Sequence, residues 1–181
     1  MDKRMEANRI VKVKIGKALM RLMGEKSFSD ISITDIVSRA GVARTSYYRN
    51  FCSKEDVLVS LTTDIMETYR TRLENDGCAY DSYDGILLMF RYFRTYGRYV
   101  LCIYQAGLAS VYQTIFDQLL ESVAGDMRCT DINRYRLYFF SGAIYNVFIK
   151  WVENDMKESC EDMARLLCQF NIMQERNPDI S

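Results

Sequence analysis

Side chains able to do chemistry are unevenly supplied in this chain. Histidine is absent. The six cysteines, Cys52, Cys78, Cys102, Cys129, Cys160 and Cys168, form no C-x-x-C pair, so no familiar zinc-ligand spacing exists and no metal is expected. Acid–base catalysis would fall to carboxylates, lysines or tyrosines, and no pair of these stands at a telling spacing. Nor is there a glycine-rich phosphate loop. The chain is therefore not expected to be an enzyme or to carry a cofactor. What remains is a set of short polar, aromatic and cationic side chains between residues 32 and 54: Ser32, Thr34, Arg44, Thr45, Ser46, Tyr47, Tyr48, Arg49 and Lys54. Groups of these kinds suit the base edges and phosphates of a DNA major groove.

Such groups need rigid elements to aim them, and the spacing of apolar residues supplies helices. Ile10, Val13, Ile15, Ala18, Leu19, Leu22 and Met23 recur at helical spacing, and Gly24 ends that helix. Ser32-Ile33-Thr34-Asp35 reads as a capping box, opening a short helix that stops at Gly41. A second short helix spans about Ala43 to Phe51. Ser53-Lys54-Glu55-Asp56 is another capping box, starting a longer helix with Val57, Leu58, Leu61, Ile65 and Met66 on one face. Two short helices joined through a glycine, with helices before and after, form a helix-turn-helix. Lys54 falls in a first turn, where a cation opposes the helix dipole; a phosphate meeting both the amides and the ammonium would give that placement a purpose.

Beyond a polar loop at 75–84, helices are expected at Gly85–Tyr96, Tyr99–Ala106, Leu108–Met127 and Asn133–Glu153. A last one follows a third box at Ser159–Asp162, making about nine in an all-α fold. With one proline and nine glycines, the chain favours long helices over a sheet protein with many turns. The expected division is a three-helix DNA-binding domain over residues 1–56 and a larger helical effector-binding and dimerisation domain over 57–181. Charge divides in the same way. Residues 1–54 carry twelve Lys and Arg against five Asp and Glu, whereas residues 55–181 carry twelve against nineteen. A basic head on an acidic body fits a head that meets a polyanion. No run reaches the length of a membrane span, no secretory signal is evident, and unpaired thiols imply a reducing cytoplasm.

The stretch Ile31–Leu58 resembles the DNA-binding signature of the TetR family of bacterial repressors. Ala40-Gly41-Val42, Tyr48-Arg49-Asn50-Phe51 and Lys54-Glu55 carry the resemblance. This chain departs from the pattern with Ala43 where serine is common and Thr45 where glycine is common. Ala43 cannot cap the recognition helix through its side chain, a local cost of about 1 kcal/mol. By the same resemblance Tyr47 takes a position usually held by a bulky apolar residue and is expected half-packed. The run from Ser141 to Leu167 looks, more loosely, like the C-terminal segment of a subgroup some of whose members sit beside dihydroxyacetone kinase genes.

The resemblance implies a sequence-specific transcriptional regulator, a repressor released from operator DNA by a small molecule. Its effector pocket would lie in the middle helices, lined by Met89, Phe90, Phe93, Tyr96, Leu101, Tyr104, Leu108, Tyr112 and Phe116. Arg91, Arg94 and Arg98 would form one stripe if a helix runs through Gly97, either solvated or facing an anionic effector. Helix-turn-helix repressors read two half-sites about 34 Å apart, which calls for a homodimer. Tyr138, Ala143, Val147, Trp151, Met163, Leu167 and Phe170 are the expected interface. The rival reading is a helical adaptor that binds another protein through these apolar C-terminal helices.

Overall fold

Apolar residues at helical spacing do organise the chain. The computed structural model describes residues 3–125 and 132–175, among which nine α-helices and no strands occur. They are α1 Lys3–Met23, α2 Ile33–Ala40, α3 Arg44–Tyr48, α4 Lys54–Asp76, α5 Tyr83–Arg94, α6 Gly97–Gln105, α7 Ala109–Ala124, α8 Ile132–Glu153 and α9 Cys160–Glu175. A short 3-10 turn, Phe28–Asp30, precedes α2; its one buried side chain is the Phe28 anchor. No described helix is long and apolar enough to cross a membrane.

The chain forms two compact units. The first is built from the chain up to Ile65 together with Cys102–Tyr112; the second takes Met66–Leu101 and the chain from Gln113 onward. The first unit therefore extends past the expected boundary at residue 56 and draws in a distant segment. Its core joins Ile15, Leu19 and Leu22 of α1 to Ile36, Tyr47, Phe51, Val57 and Leu58, with Ile103 and Tyr112 from the distant segment. Gly16 lets α1 approach α4 closely: a Cβ there would stand 3.3 Å from Leu61 Cδ1. The Cys102 thiol donates to the Met23 carbonyl at 3.0 Å, tying α6 to the end of α1.

In the second unit, α5 lies along α9, and its buried side chains join an aromatic cluster. Phe90 meets Trp151 edge-on at 5.3 Å, and Phe93 reaches both Phe116 and Phe148. Edge-to-face pairs of this kind add about 0.5–1.5 kcal/mol each beyond area burial. Ser82 caps α5 by accepting from the Gly85 amide, so the helix begins at Tyr83, earlier than the sequence reading placed it. No single helix runs from Arg91 to Arg98, so the condition for one arginine stripe is not met. α5 ends at Arg94 and α6 begins at Gly97, Arg91 pairs with Glu161, and Arg94 lies 6.0 Å over the Trp151 ring.

Candidate nucleic-acid interface

The first unit builds its exposed polar surface from the caps upward. Ser32 accepts from the Asp35 amide at 3.1 Å, while Asp35 accepts from the Ser32 amide at 2.9 Å and from its hydroxyl at 2.7 Å. Lys26 adds an ion pair to Asp35 at 2.8 Å. The Lys26 ammonium and the Ser32 donors hold the Asp35 carboxyl well below the usual carboxylate range. At its other end α2 turns on Gly41, whose φ of +62° and ψ of +42° place it in the left-handed region. The Gly41 and Val42 amides close back onto Ser38 and Val37, satisfying the last carbonyls.

That turn aims α3. Ala43 supplies no side-chain cap, as its residue type dictates, and Asn50 braces the far end by donating to the Ser46 carbonyl at 2.8 Å. Arg44, Thr45, Tyr48 and Arg49 are exposed and Ser46 half-buried. The Arg44 guanidinium is held in place before any ligand arrives: it donates to Thr34 Oγ1 at 3.0 Å and to the Tyr48 hydroxyl at 3.1 Å. It also lies 5.5 Å over the Tyr48 ring. A guanidinium fork fixed in this way retains free N–H groups suited to the paired acceptors of a guanine edge.

Tyr47 is fully buried instead of half-packed, edge-on to Tyr48 and tilted against Phe51, and its hydroxyl finds no hydrogen-bond partner among the described residues. Burial, with Asp56 and Glu55 nearby, pushes its phenol up to about 12. Lys54 does not offer a free ammonium either, because Nζ donates to the carbonyls of Phe28, Ser29 and Ile31. Of the remaining candidates, Ser32 has its hydroxyl engaged in the capping box, and Thr34 is exposed with Arg44 as its partner.

The candidate effector-pocket residues fall in both units. Phe90, Phe93, Tyr96, Leu101 and Phe116 lie in the second, and Tyr104, Leu108 and Tyr112 in the first. Tyr104 is 39% exposed, against the expectation of a lining role, while Met89, Phe90, Phe93, Tyr112 and Phe116 are buried. Between α7 and α8 the second unit holds polar groups: Gln113 donates to Asp117 and to Ser141, and Glu121 accepts from Tyr138 and Arg134.

The expected interface residues also divide. Trp151, Met163 and Leu167 are buried in the second unit itself, with Trp151 Nε1 donating to the Glu158 carbonyl at 3.1 Å. Tyr138, Ala143 and Val147 are half-buried, and Phe170 is exposed. Four further apolar residues are exposed: Ile132, Tyr135 and Phe139 on α8 and Leu166 on α9. The i, i+3, i+7 spacing of the first three puts them on one face. Gly142 continues that face, with open space where a Cβ would stand.

Comparisons with known proteins agree with this geometry. Residues 15–61 match the family model described as bacterial regulatory proteins, tetR family, and residues 81–172 match a transcriptional regulator C-terminal region. The HTH-type transcriptional regulator EthR of Mycolicibacterium smegmatis is 36% identical over 55 residues, which are 30% of this chain and span only a quarter (25%) of that protein. Among solved structures, the dihydroxyacetone kinase operon activator DhaS is 21% identical with a TM-score of 0.62, over 91% of this chain and 95% of that one. The fatty acid degradation regulator FadR from Bacillus halodurans is 19% identical with a TM-score of 0.63, over 88% and 93% of the two chains. With a family model covering half of its length and a helix-turn-helix whose caps, turn and exposed arginine fork are all in place, the chain belongs to the TetR family of transcriptional regulators.

Proposed function

We propose that this regulator works as a homodimer, reads two half-sites of operator DNA through α3, and represses until a small molecule releases it. The observation that carries the DNA-reading role is the exposed Arg44 fork, held by Thr34 from α2 and by Tyr48 from α3. Thr45, Ser46 and Tyr48 follow it on the same short helix, with Arg49 at the C-cap, and supply hydroxyls and a second guanidinium for backbone phosphates. Dimerisation is supported by the exposed apolar side chains of Ile132, Tyr135 and Phe139 on α8 and of Leu166 and Phe170 on α9. Covering a large apolar side chain is worth about 1.5–3 kcal/mol. Release by an effector would follow if the ligand binds better to the conformation that cannot span both half-sites.

Titration of the purified protein against its own upstream intergenic DNA, beside a random duplex and at several salt concentrations, tests this reading. A preference for the upstream fragment with steep loss of affinity as salt rises is the expected result. Binding to another protein through the apolar helices, insensitive to salt and without DNA affinity, would favour the adaptor reading instead. DhaS is named as an operon activator, so a reporter fused to the upstream fragment decides the sign: deletion of the regulator raises expression if it represses.

A further inference from the structure

We propose that Lys54 is a positioning residue of the DNA-reading surface, acting through the backbone that precedes α2 instead of holding a phosphate of the duplex. This rests on the DNA-binding reading of the first unit. An ammonium has three hydrogens to donate. Around Lys54 Nζ stand three carbonyls, those of Phe28 at 2.6 Å, Ile31 at 3.0 Å and Ser29 at 3.1 Å. The Phe28 ring lies 4.6 Å away as a further cation partner.

These carbonyls belong to the 3-10 turn and the residue after it, where a helical end leaves carbonyls short of partners; that of Phe28 also accepts from the Ile31 amide. The Phe28 side chain is buried, so the turn is anchored on one side by its ring and on the other by Lys54. From Ile31 the chain passes directly into Ser32, the N-cap of α2, and Thr34 in the first turn of α2 accepts from Arg44. A continuous path thus runs from the start of α4, through Ile31 and α2, to the guanidinium that faces DNA. The two amides just before α4 already have an anion: Asp56 accepts from those of Cys52 at 2.9 Å and Ser53 at 3.2 Å. A phosphate held by Lys54 would draw the ammonium off three charge-assisted bonds.

The test uses full-length Lys54→Met, which keeps the stem without donors, and Lys54→Arg, which keeps the charge without the compact three-donor head. Affinity for the operator fragment and for a random duplex is measured across a salt series, and amide hydrogen exchange is followed at Asp30 and Ile31. In the native protein those amides donate to the Ser27 and Phe28 carbonyls. For Lys54→Met the expected result is unchanged affinity and salt slope on random duplex, an operator preference lower by about tenfold, and faster exchange at both amides. Lys54→Arg should not restore the preference. Parallel losses on operator and random DNA, a salt slope reduced by about one, and recovery with arginine would overturn the proposal in favour of a phosphate contact. Operator preference at the wild-type level would also overturn it, as would unchanged exchange. If the wild-type protein shows no operator preference at all, the DNA-binding reading fails, and hydrogen exchange alone still decides whether Lys54 holds the turn.

Discussion

Tyr47 and Tyr48 are neighbours in the chain with opposite environments, the first fully buried and the second 49% exposed. The residue types at 32–54 announced a polyanion-binding surface, but a helix of five residues offers too few turns for periodicity to assign its inward side. Only the packing of α1 against α2 and α3 decides it. The Tyr47 hydroxyl has no partner in that core, and leaving such a group desolvated costs about 1–3 kcal/mol. Tyr47→Phe should therefore raise stability in urea denaturation by about 1 kcal/mol while leaving operator affinity unchanged; lower stability would mean that the hydroxyl has a partner. Arg44→Ala should relax preference at a single base position by about 1–3 kcal/mol, read by competition among operators varied one base at a time. Thr34→Val should weaken preference at that same position by less, because Tyr48 still holds the guanidinium.

Helix ends were the most legible elements, since a cap is written in four consecutive residues. The Ser32–Asp35 and Ser53–Asp56 boxes both form as read, and the Ser159 hydroxyl accepts from the Asp162 amide at 3.1 Å. The 3-10 turn at Phe28–Asp30 and the Ser82 cap were not read, the first because three residues carry no period and the second because Gly85 looked like a boundary. At α2 the cap has a consequence for acid stability. Asp35 has its folded-state pKa depressed by Lys26 and Ser32, so the fold favours the ionised carboxylate. That stabilisation is complete above the unfolded value of about 4 and is lost as pH falls below it, through the folded value. Asp35→Asn should thus be less stable than the native chain at neutral pH, with the gap closing below about pH 4 in denaturant titrations. A gap that persists at low pH would assign the loss to the cap hydrogen bonds alone. Gly41→Ala should destabilise by roughly 1–2 kcal/mol, since its left-handed backbone opposes a Cβ although the space beside it is open.

For the whole molecule, composition pointed to an all-helical chain with a basic head, and the division of the chain proved less simple. Apolar type marks burial but does not say within which body. Trp151, Met163 and Leu167 are buried in their own unit, while Phe139, Leu166 and Phe170 remain uncovered. Phe139→Glu combined with Leu166→Glu should convert the proposed dimer to monomer in sedimentation equilibrium and reduce operator affinity by at least about tenfold, leaving the helical content unchanged. A dimer that survives both substitutions would place the interface elsewhere. The first unit, finally, is not a contiguous length of chain: Cys102 closes on Met23, and Ile103 and Tyr112 complete its core. On a ribosome, the core of that unit cannot be complete when its DNA-reading helices have emerged. Synthesis must continue from Ile65 to Tyr112, a wait of roughly a few seconds at about 5–20 residues per second, before the core has all of its parts.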